Sequence, residues 1–355
     1  MLILGIESSC DETAAAVVED GRRVRSSVVA GQHEIHEEYG GVVPELASRA
    51  HAERITGVIT RAIDEAGCGL GDLDAVAVGH RPGLIGALLV GVSAAKALAW
   101  SLGVPLVGVD HLRAHLWAGL LDTEVELGDV FPALGLVISG GHTAMFRCES
   151  PTQLVRLGGT IDDAVGEAYD KAAAILGLGH PGGPTIDRLA QEENANDRAV
   201  ELPVSRLGRE SLDFSFSGLK TALLYEVRGV PGPGGVFERT SDALNDERRR
   251  DLAASFQRVA SKAVVLKMER ALDAIGDTPR SILVGGGVSA NSRIRRESLV
   301  LAEKHNLKLI LPEMRFCVDN AAMIAGLGHY RLAMGEQDDL TLRASPSMSP
   351  ATSGC

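Results

Sequence analysis

At 355 residues, with 45% hydrophobic and 4% aromatic side chains and 41 glycines, the chain is too long for one ordinary core and has the profile of an α/β protein with many tight loops. Lysine and arginine number 35 against 47 aspartate and glutamate, and the formal charge of −12 argues against unaided, charge-driven binding of nucleic acid over the whole surface. Five scattered cysteines (Cys10, Cys68, Cys148, Cys317, Cys355) show no C-x-x-C spacing, which excludes a cysteine zinc knuckle and suits a reducing cytosol better than a disulfide framework.

The first predicted strand is Leu2 to Ile6, followed by the polar loop Glu7 to Glu12 and a second strand, Thr13 to Val18. Asp20-Gly21 then turns the chain into Val24 to Ala30, an antiparallel start. The N-terminus has no basic stretch before this acidic loop and does not read as a signal peptide. Pro44 opens a helix that reaches Ala66, with proline at the first helical position and Gly67 just past the end. Ala75 to Val78 reads as a strand, Gly86 to Leu102 as a buried helix and Leu106 to Val109 as a strand. Lys96 and Pro105 divide the apolar run from Leu84 to Val109, so it is expected to be buried rather than to span a membrane, in a soluble, cytoplasmic protein with no membrane partner. The pattern then begins again: strand Leu134 to Ile138, polar loop Ser139 to His142, returning strand Thr143 to Arg147. This predicts an internal duplication, with ligand in a cleft between two lobes. Helices are predicted at 163–176, 217–227, 249–275, 291–305 and 319–334, with strands at 281–284 and 309–311. The Ser/Pro-rich tail, 336–355, is expected to be unordered.

His111 and His115 lie four apart, which on a helix puts both imidazoles on one face, within reach of one ion. Capping or packing roles are the alternative. A zinc-hydrolase helix of the H-E-x-x-H type is disfavoured, because Leu112 stands where the general base would be. A third ligand must come from elsewhere; Asp319, which opens the last predicted helix, reads on its own as that helix's N-cap. Two histidines and one carboxylate with open positions suit Fe(II) or Zn(II).

Three glycine-rich loops follow: Ser139-Gly140-Gly141-His142, His180-Pro181-Gly182-Gly183-Pro184 before Asp187, and Gly285-Gly286-Gly287 before Asn291. Glycines let backbone N–H groups approach phosphate oxygens, and together the loops argue for a nucleotide, although none is a Walker A or a G-x-G-x-x-G. Acidic residues cluster beside them: Glu7, Asp11 and Glu12 in the first polar loop, and Asp162, Asp163, Glu167 and Asp170. They read either as ion-paired surface or as groups for ribose hydroxyls or a second cation. Arg248 to Arg250 and Arg293, Arg295 and Arg296 read as solvated helix faces.

The segments GIESSCDETAAAV, GGVVPELASRAHAE, PGLIGALLVG, DHLRAHLWA, LVISGGHT, GEAYDKAAAILGL, HPGGPTIDRLA, DFSFSGLKTA, GGGVSAN and DNAAMIA run in order from residue 5 to about residue 326. In this combination the chain closely resembles the bacterial tRNA N6-adenosine threonylcarbamoyltransferase (TsaD) family. The resemblance implies a duplicated two-lobed actin-like (ASKHA) α/β fold with the active site between the lobes. One lobe would be 1–109, completed by the helix at about 319–335, and the other 110–318. By motif position, His111, His115 and Asp319 correspond to the family's ligands for one divalent metal per subunit, with iron usually assigned and zinc the alternative. Val137, Ile138, Ser139, Gly140, Gly141, Asp170, Gly183, Asp187 and Asn291 correspond to its substrate-binding positions. No catalytic residue is assigned; Asp11 and Glu12 are the candidates.

The implied reaction moves the threonylcarbamoyl group of threonylcarbamoyl-AMP to N6 of the adenosine next to the anticodon, in tRNAs reading codons that begin with adenine. The implied partners are a shorter paralogue of the same fold (TsaB) and a small P-loop ATPase (TsaE), with a separate TsaC-type synthase making the adenylate. The helix Pro44 to Ala66, carrying Ala47, Ala50, Ile55, Val58 and Ile59, is a candidate docking surface, packing within its own lobe being the other reading. Two other classes stay open: a metal-dependent glycoprotein endopeptidase, an activity once attributed to the family, and a small-molecule kinase on the same fold. One departure is Arg81, where the family usually has glycine; a positive φ there would strain the turn.

Overall fold

Apart from the strand at Arg23–Gly31, the strands of the N-terminal half are continuous apolar runs rather than alternating ones, the pattern of a sheet covered on both faces. The computed structural model describes residues 1–347 apart from 40, 206, 233, 238, 242, 243, 277 and 278, and it divides into two compact units. Unit 1 comprises Met1–Val130, Cys148–Val155 and Ile310–Cys355, and unit 2 comprises Phe131–Arg147 and Arg156–Leu309.

In unit 1, β1 (Leu2–Glu7), β2 (Glu12–Glu19), β3 (Arg23–Gly31), β4 (Ala75–Arg81) and β5 (Leu106–Asp110) form a sheet of order β3-β2-β1-β4-β5. The β1–β2 and β2–β3 pairs are antiparallel, and the β1–β4 and β4–β5 pairs are parallel. After the one-turn α1 (His33–His36), α2 (Pro44–Ala66) and α3 (Ile85–Leu102) cover one face, where Leu4, Ile6, Val17, Val28, Val76 and Val78 share a core with Ile55, Val58 and Ile59. The other face offers small residues, Gly5, Ala14, Ala16 and Ala77, to α11 (Ala321–Ala333). The five apolar residues of α2 considered for docking are buried, so packing within their own unit is what they do. Among the described residues α3 is the one helix long and apolar enough to cross a membrane. It is not buried all round as its sequence suggested: Leu88, Val92 and Ala99 are buried while Ile85, Leu89 and Trp100 are exposed.

The short helices α4 (His111–Trp117) and α5 (Leu127–Val130) lead into unit 2. There, β6 (Ala133–Ile138), β7 (Thr143–Cys148), β8 (Leu154–Gly159), β9 (Ser281–Gly285) and β10 (Lys308–Ile310) are ordered β10-β9-β6-β7-β8. Read from the hairpin side, this is the strand sequence of unit 1 repeated, the duplication that the recurring strand–loop–strand pattern predicted. Its helices are α6 (Val165–Ile175), α7 (Gly182–Ala190), α8 (Ser217–Arg228), α9 (Asp246–Ile275) and α10 (Ser292–Lys304). The arginine clusters on α9 and α10 are largely ion-paired, as in Arg248 with Glu226 and Arg293 with Asp197 and Glu297.

Two boundaries differ from the sequence reading. The division falls after Val130 rather than at residue 109, because α4 packs against α11 and so stays with unit 1. Residues 336–347 of the supposed unordered tail are tied to unit 1. Leu342 is 9% exposed in its core, Asp338 accepts from the Gly108 N–H at 2.8 Å, and Ser345 N–H donates to His80 O at 2.9 Å. A single leucine and one carboxylate anchor this strap, too little to stand out in a polar composition. Residues 348–355 of the tail lie outside the described residues.

Candidate metal centre and substrate loops

α4 starts where β5 ends. Asp110 caps it, its Oδ1 accepting from the N–H groups of Leu112 (3.1 Å) and Arg113 (3.3 Å). One turn apart, His111 Nε2 and His115 Nε2 approach to 3.1 Å, and both rings are buried. Asp319 Oδ1 lies 3.0 Å from His115 Nε2 and 3.5 Å from His111 Nε2. Asp319 is not the cap of α11. Asn320 holds that place, accepting from Met323 N–H at 3.0 Å and donating to Phe316 O and Val318 O. The Asp319 carboxylate faces the imidazoles instead.

These three residues can hold a metal ion, and the donor triangle fits one. Ligands at about 2.1 Å from a cation sit about 3.0 Å apart in octahedral and about 3.4 Å apart in tetrahedral geometry. Two imidazole lone pairs facing each other repel unless a positive charge lies between them. The electrostatics agree. Burial opposes charge on His111, yet Asp319 and Glu7 outweigh it and push its pKa up to about 10. Burial, and then His111 itself, lower that of His115. Asp11 and Glu12 stand close by: burial, then the charges of Asp319 and Asp11, raise the Glu12 carboxyl well above its ordinary range.

Sequence reasoning missed Glu7 and Ser9 as parts of this centre. Glu7 Oε2 lies 3.1 Å from His111 Nδ1, and Ser9 Oγ lies 3.2 Å from the same nitrogen. Their only sequence signal was membership of a polar loop directly after a buried strand. Arg81 does not have the positive φ that would strain its turn. Its side chain turns toward Asp110, with Nε 3.6 Å from Oδ2.

In unit 2, two of the glycine loops leave neighbouring parallel strands at the same edge, since Val137 on β6 pairs with Gly285 on β9. Carboxyl ends of parallel strands are where α/β sheets bind ligands. Gly286 has φ +92°, and an added Cβ would lie 2.4 Å from Ile138 O, so only glycine lets the β9 loop press against the end of β6. The Ser139 and Gly140 carbonyls accept from Gly166 and Glu167 N–H (both 3.2 Å), which seats the first loop on the start of α6. One helical turn on, Asp170 Oδ1 accepts from Gly182 N–H at 2.8 Å and holds the third loop, with Gly183, at the start of α7. Asp187 Oδ1 accepts from Ser292 Oγ (2.7 Å) and Gln257 Nε2 (2.9 Å). Asn291 caps α10 through Oδ1 and donates from Nδ2 to Gln257 Oε1 at 3.0 Å. Val137 to Gly141, Asp170, Gly183, Asp187 and Asn291 thus all belong to unit 2, and buried Gln257 on α9 links the last two, a residue sequence reading passed over.

Asp162 and Asp163 are structural clamps. Asp162 accepts from Ser215, Phe216 and Ser217 at the start of α8, and Asp163 pairs with Lys171 and Lys220 at 2.6 and 2.7 Å.

Comparison with known proteins places this arrangement. The chain is 50% identical to a tRNA N6-adenosine threonylcarbamoyltransferase of Trichlorobacter lovleyi over 97% of its own length and 96% of that protein's. It is 48% identical to the enzyme of the same name from Symbiobacterium thermophilum over 99% and 98%. Among solved structures, component A of (R)-2-hydroxyglutaryl-CoA dehydratase from Acidaminococcus fermentans is similar in fold (TM-score 0.52, 12% identity, 94% of this chain and 99% of that one). So is HypF of T. kodakarensis (TM-score 0.57, 15% identity, 96% of this chain and 49% of that one). These are actin-like folds, as expected. The family model for TsaD, tRNA N6-adenosine threonylcarbamoyltransferase, matches residues 23–326; the chain belongs to that family, and its activity is the threonylcarbamoyl transfer that forms N6-threonylcarbamoyladenosine in tRNA.

Proposed function

We propose that unit 1 holds one divalent cation on His111, His115 and Asp319, and that the unit 2 loops hold the adenylate of threonylcarbamoyl-AMP. Two imidazoles and one carboxylate on one side of an ion, with the remaining positions open, are the donor set of iron(II), and zinc(II) fits the same triangle. When bound, the ion supplies a Lewis acid for the oxygens of the threonylcarbamoyl group. Backbone N–H groups of Ser139 to Gly141 and of the Gly183 turn approach the phosphate, while Asp187 and Asn291 face the nucleoside. N6 of the adenosine next to the anticodon, in tRNAs reading codons that begin with adenine, attacks the carbamoyl carbon. The new bond is N6–C, the bond to the phosphate oxygen breaks, AMP leaves with the electron pair, and N6 gives up one proton.

The shorter paralogue and the P-loop ATPase complete the tRNA-binding assembly in the cytoplasm, which reconciles an acidic chain with an anionic substrate. A TsaC-type synthase provides the adenylate.

The single observation that carries this reading is the triangle of buried His111 and His115 with half-buried Asp319 in a chain of this family. A transfer assay with threonylcarbamoyl-AMP, unmodified tRNA and both partner proteins tests it. Wild type modifies the tRNA, and His111→Ala and Asp319→Ala lose modification. Full modification by both variants overturns the metal reading, and none by wild type overturns the donor and partners.

A further inference from the structure

Glu7 is fully buried at the end of β1, and the transfer reaction leaves it without a task. Both of its oxygens are engaged: Oε1 accepts from Ser9 N–H at 2.6 Å, and Oε2 faces His111 Nδ1 at 3.1 Å. The loop beyond it is pinned from three sides. Ser8 Oγ donates to Ala87 O (2.9 Å), Leu84 N–H donates to Ser9 O (2.8 Å), and His51, fixed by Thr13 Oγ1 at 2.8 Å, reaches Cys10 O at 3.0 Å. Space for the carboxylate exists because β4 has glycine opposite it: a Cβ at Gly79 would lie 2.4 Å from Glu7 Oε2.

His111 Nδ1 faces a carboxylate oxygen of Glu7 at 3.1 Å and Ser9 Oγ, which can accept as well as donate, at 3.2 Å, an arrangement that favours the tautomer with the ring proton on Nδ1. Nε2 is then a lone pair, on the side of the ring that meets His115 Nε2 and Asp319. We infer that Glu7 is a positioning residue for the metal ligand His111: it selects the tautomer that turns Nε2 toward the ion and, through its charge, makes that nitrogen a stronger donor. His115 provides the contrast, since its buried Nδ1 has no hydrogen-bond partner among the described residues. The ring orientation of the centre is therefore set at Glu7. This inference rests on the metal reading of the three-residue triangle.

The test uses full-length protein with Co(II) or Zn(II) alone, measuring affinity by chelator competition and the visible spectrum of the Co(II) form. E7Q keeps the size of the side chain and removes its charge. It is expected to bind about 10–100-fold more weakly with an altered Co(II) spectrum, the usual consequence of losing such a partner. G79A leaves Glu7 chemically intact but forces its carboxylate away from His111, and a similar loss is expected. In an E7A background the same G79A change should be silent for metal affinity, because no carboxylate is left to displace; a general distortion of β4 would still show. Wild-type affinity and spectrum in E7Q, or an undiminished G79A effect without Glu7, overturns the inference. Failure of wild type to bind either ion, or binding unaffected by His111→Ala, overturns the metal reading beneath it instead.

Discussion

Asn320 caps α11, and that leaves the neighbouring Asp319 carboxylate to face two imidazoles. The division of labour is testable: Asn320→Ala should cost about 1 kcal/mol as a lost cap and should also weaken metal binding, because Asp319 is then drawn toward the vacant helix end. Urea unfolding and a Zn(II) titration read the two effects separately. Gln257 performs a comparable service in unit 2, and Gln257→Leu leaves Asp187 and the Asn291 amide each short of a partner. A stability loss of about 1–3 kcal/mol is expected, with a KM for the adenylate that rises more than kcat falls. Asp163 sets a pH dependence. Burial works against its charge, but hydrogen bonds from Lys171 and Lys220 prevail and hold its carboxyl below the ordinary range. A carboxyl lowered in the folded state contributes stability above its unfolded pKa and loses it as pH falls through the folded value. The urea midpoint of wild type should therefore fall more between pH 6 and pH 3 than that of Asp163→Asn, by an amount on the order of 1 kcal/mol for a pair of largely solvated bridges.

At the scale of elements, α11 is held against the unit 1 sheet by small residues. A Cβ added at Gly5 would lie 2.2 Å from Ala321 O, backbone that has nowhere to go. Gly5→Ala should thus destabilise the fold by about 1–3 kcal/mol and, by pushing the start of α11 away, loosen Asp319 from the histidines; calorimetry and Co(II) affinity should change together. The strap after α11 is a second such element. Leu342→Ala removes its one anchor in the core and should cost about 2–3 kcal/mol, whereas an unattached tail would show no change in Tm. Local signals marked α2 well, because Pro44 and Gly67 act within one turn of the helix they delimit. They did not mark β8, a short run ending in Gly158-Gly159, nor the strap, whose hydrogen bonds go to β5 and to His80, far away in sequence.

For the whole molecule, duplication explains how one chain can carry the two proposed kinds of site. In each unit the candidate residues lie at the carboxyl ends of parallel strands: Glu7 and His111 at the ends of β1 and β5, Ser139 and Gly286 after β6 and β9. One copy has acquired histidines and carboxylates, the other glycines. Both tryptophans, Trp100 and Trp117, lie in unit 1, so their fluorescence reports on the unit that carries the proposed centre. Saturation with Zn(II) at one hundred times its Kd should stabilise that unit by about 2.7 kcal/mol, and the gain should vanish in Asp319→Ala.

The sequence by itself determined the alternation of strands and helices, the repeat and the pairing of His111 with His115, because each rests on periodicity or on contacts one helical turn apart. The family motifs then carried the fold and the activity. Asp319 read locally as an N-cap, and the family motif made it a candidate ligand; the fold gives the cap to Asn320, which no local pattern distinguishes from Asp319. Glu7 and Gln257 were settled by tertiary structure alone. Their partners lie 104, 70 and 34 residues away, and no local pattern brings such groups to the 2.9–3.1 Å at which they meet. The histidine pair that the spacing suggested as metal ligands would thus take its orientation from a strand end that only folding places beside it.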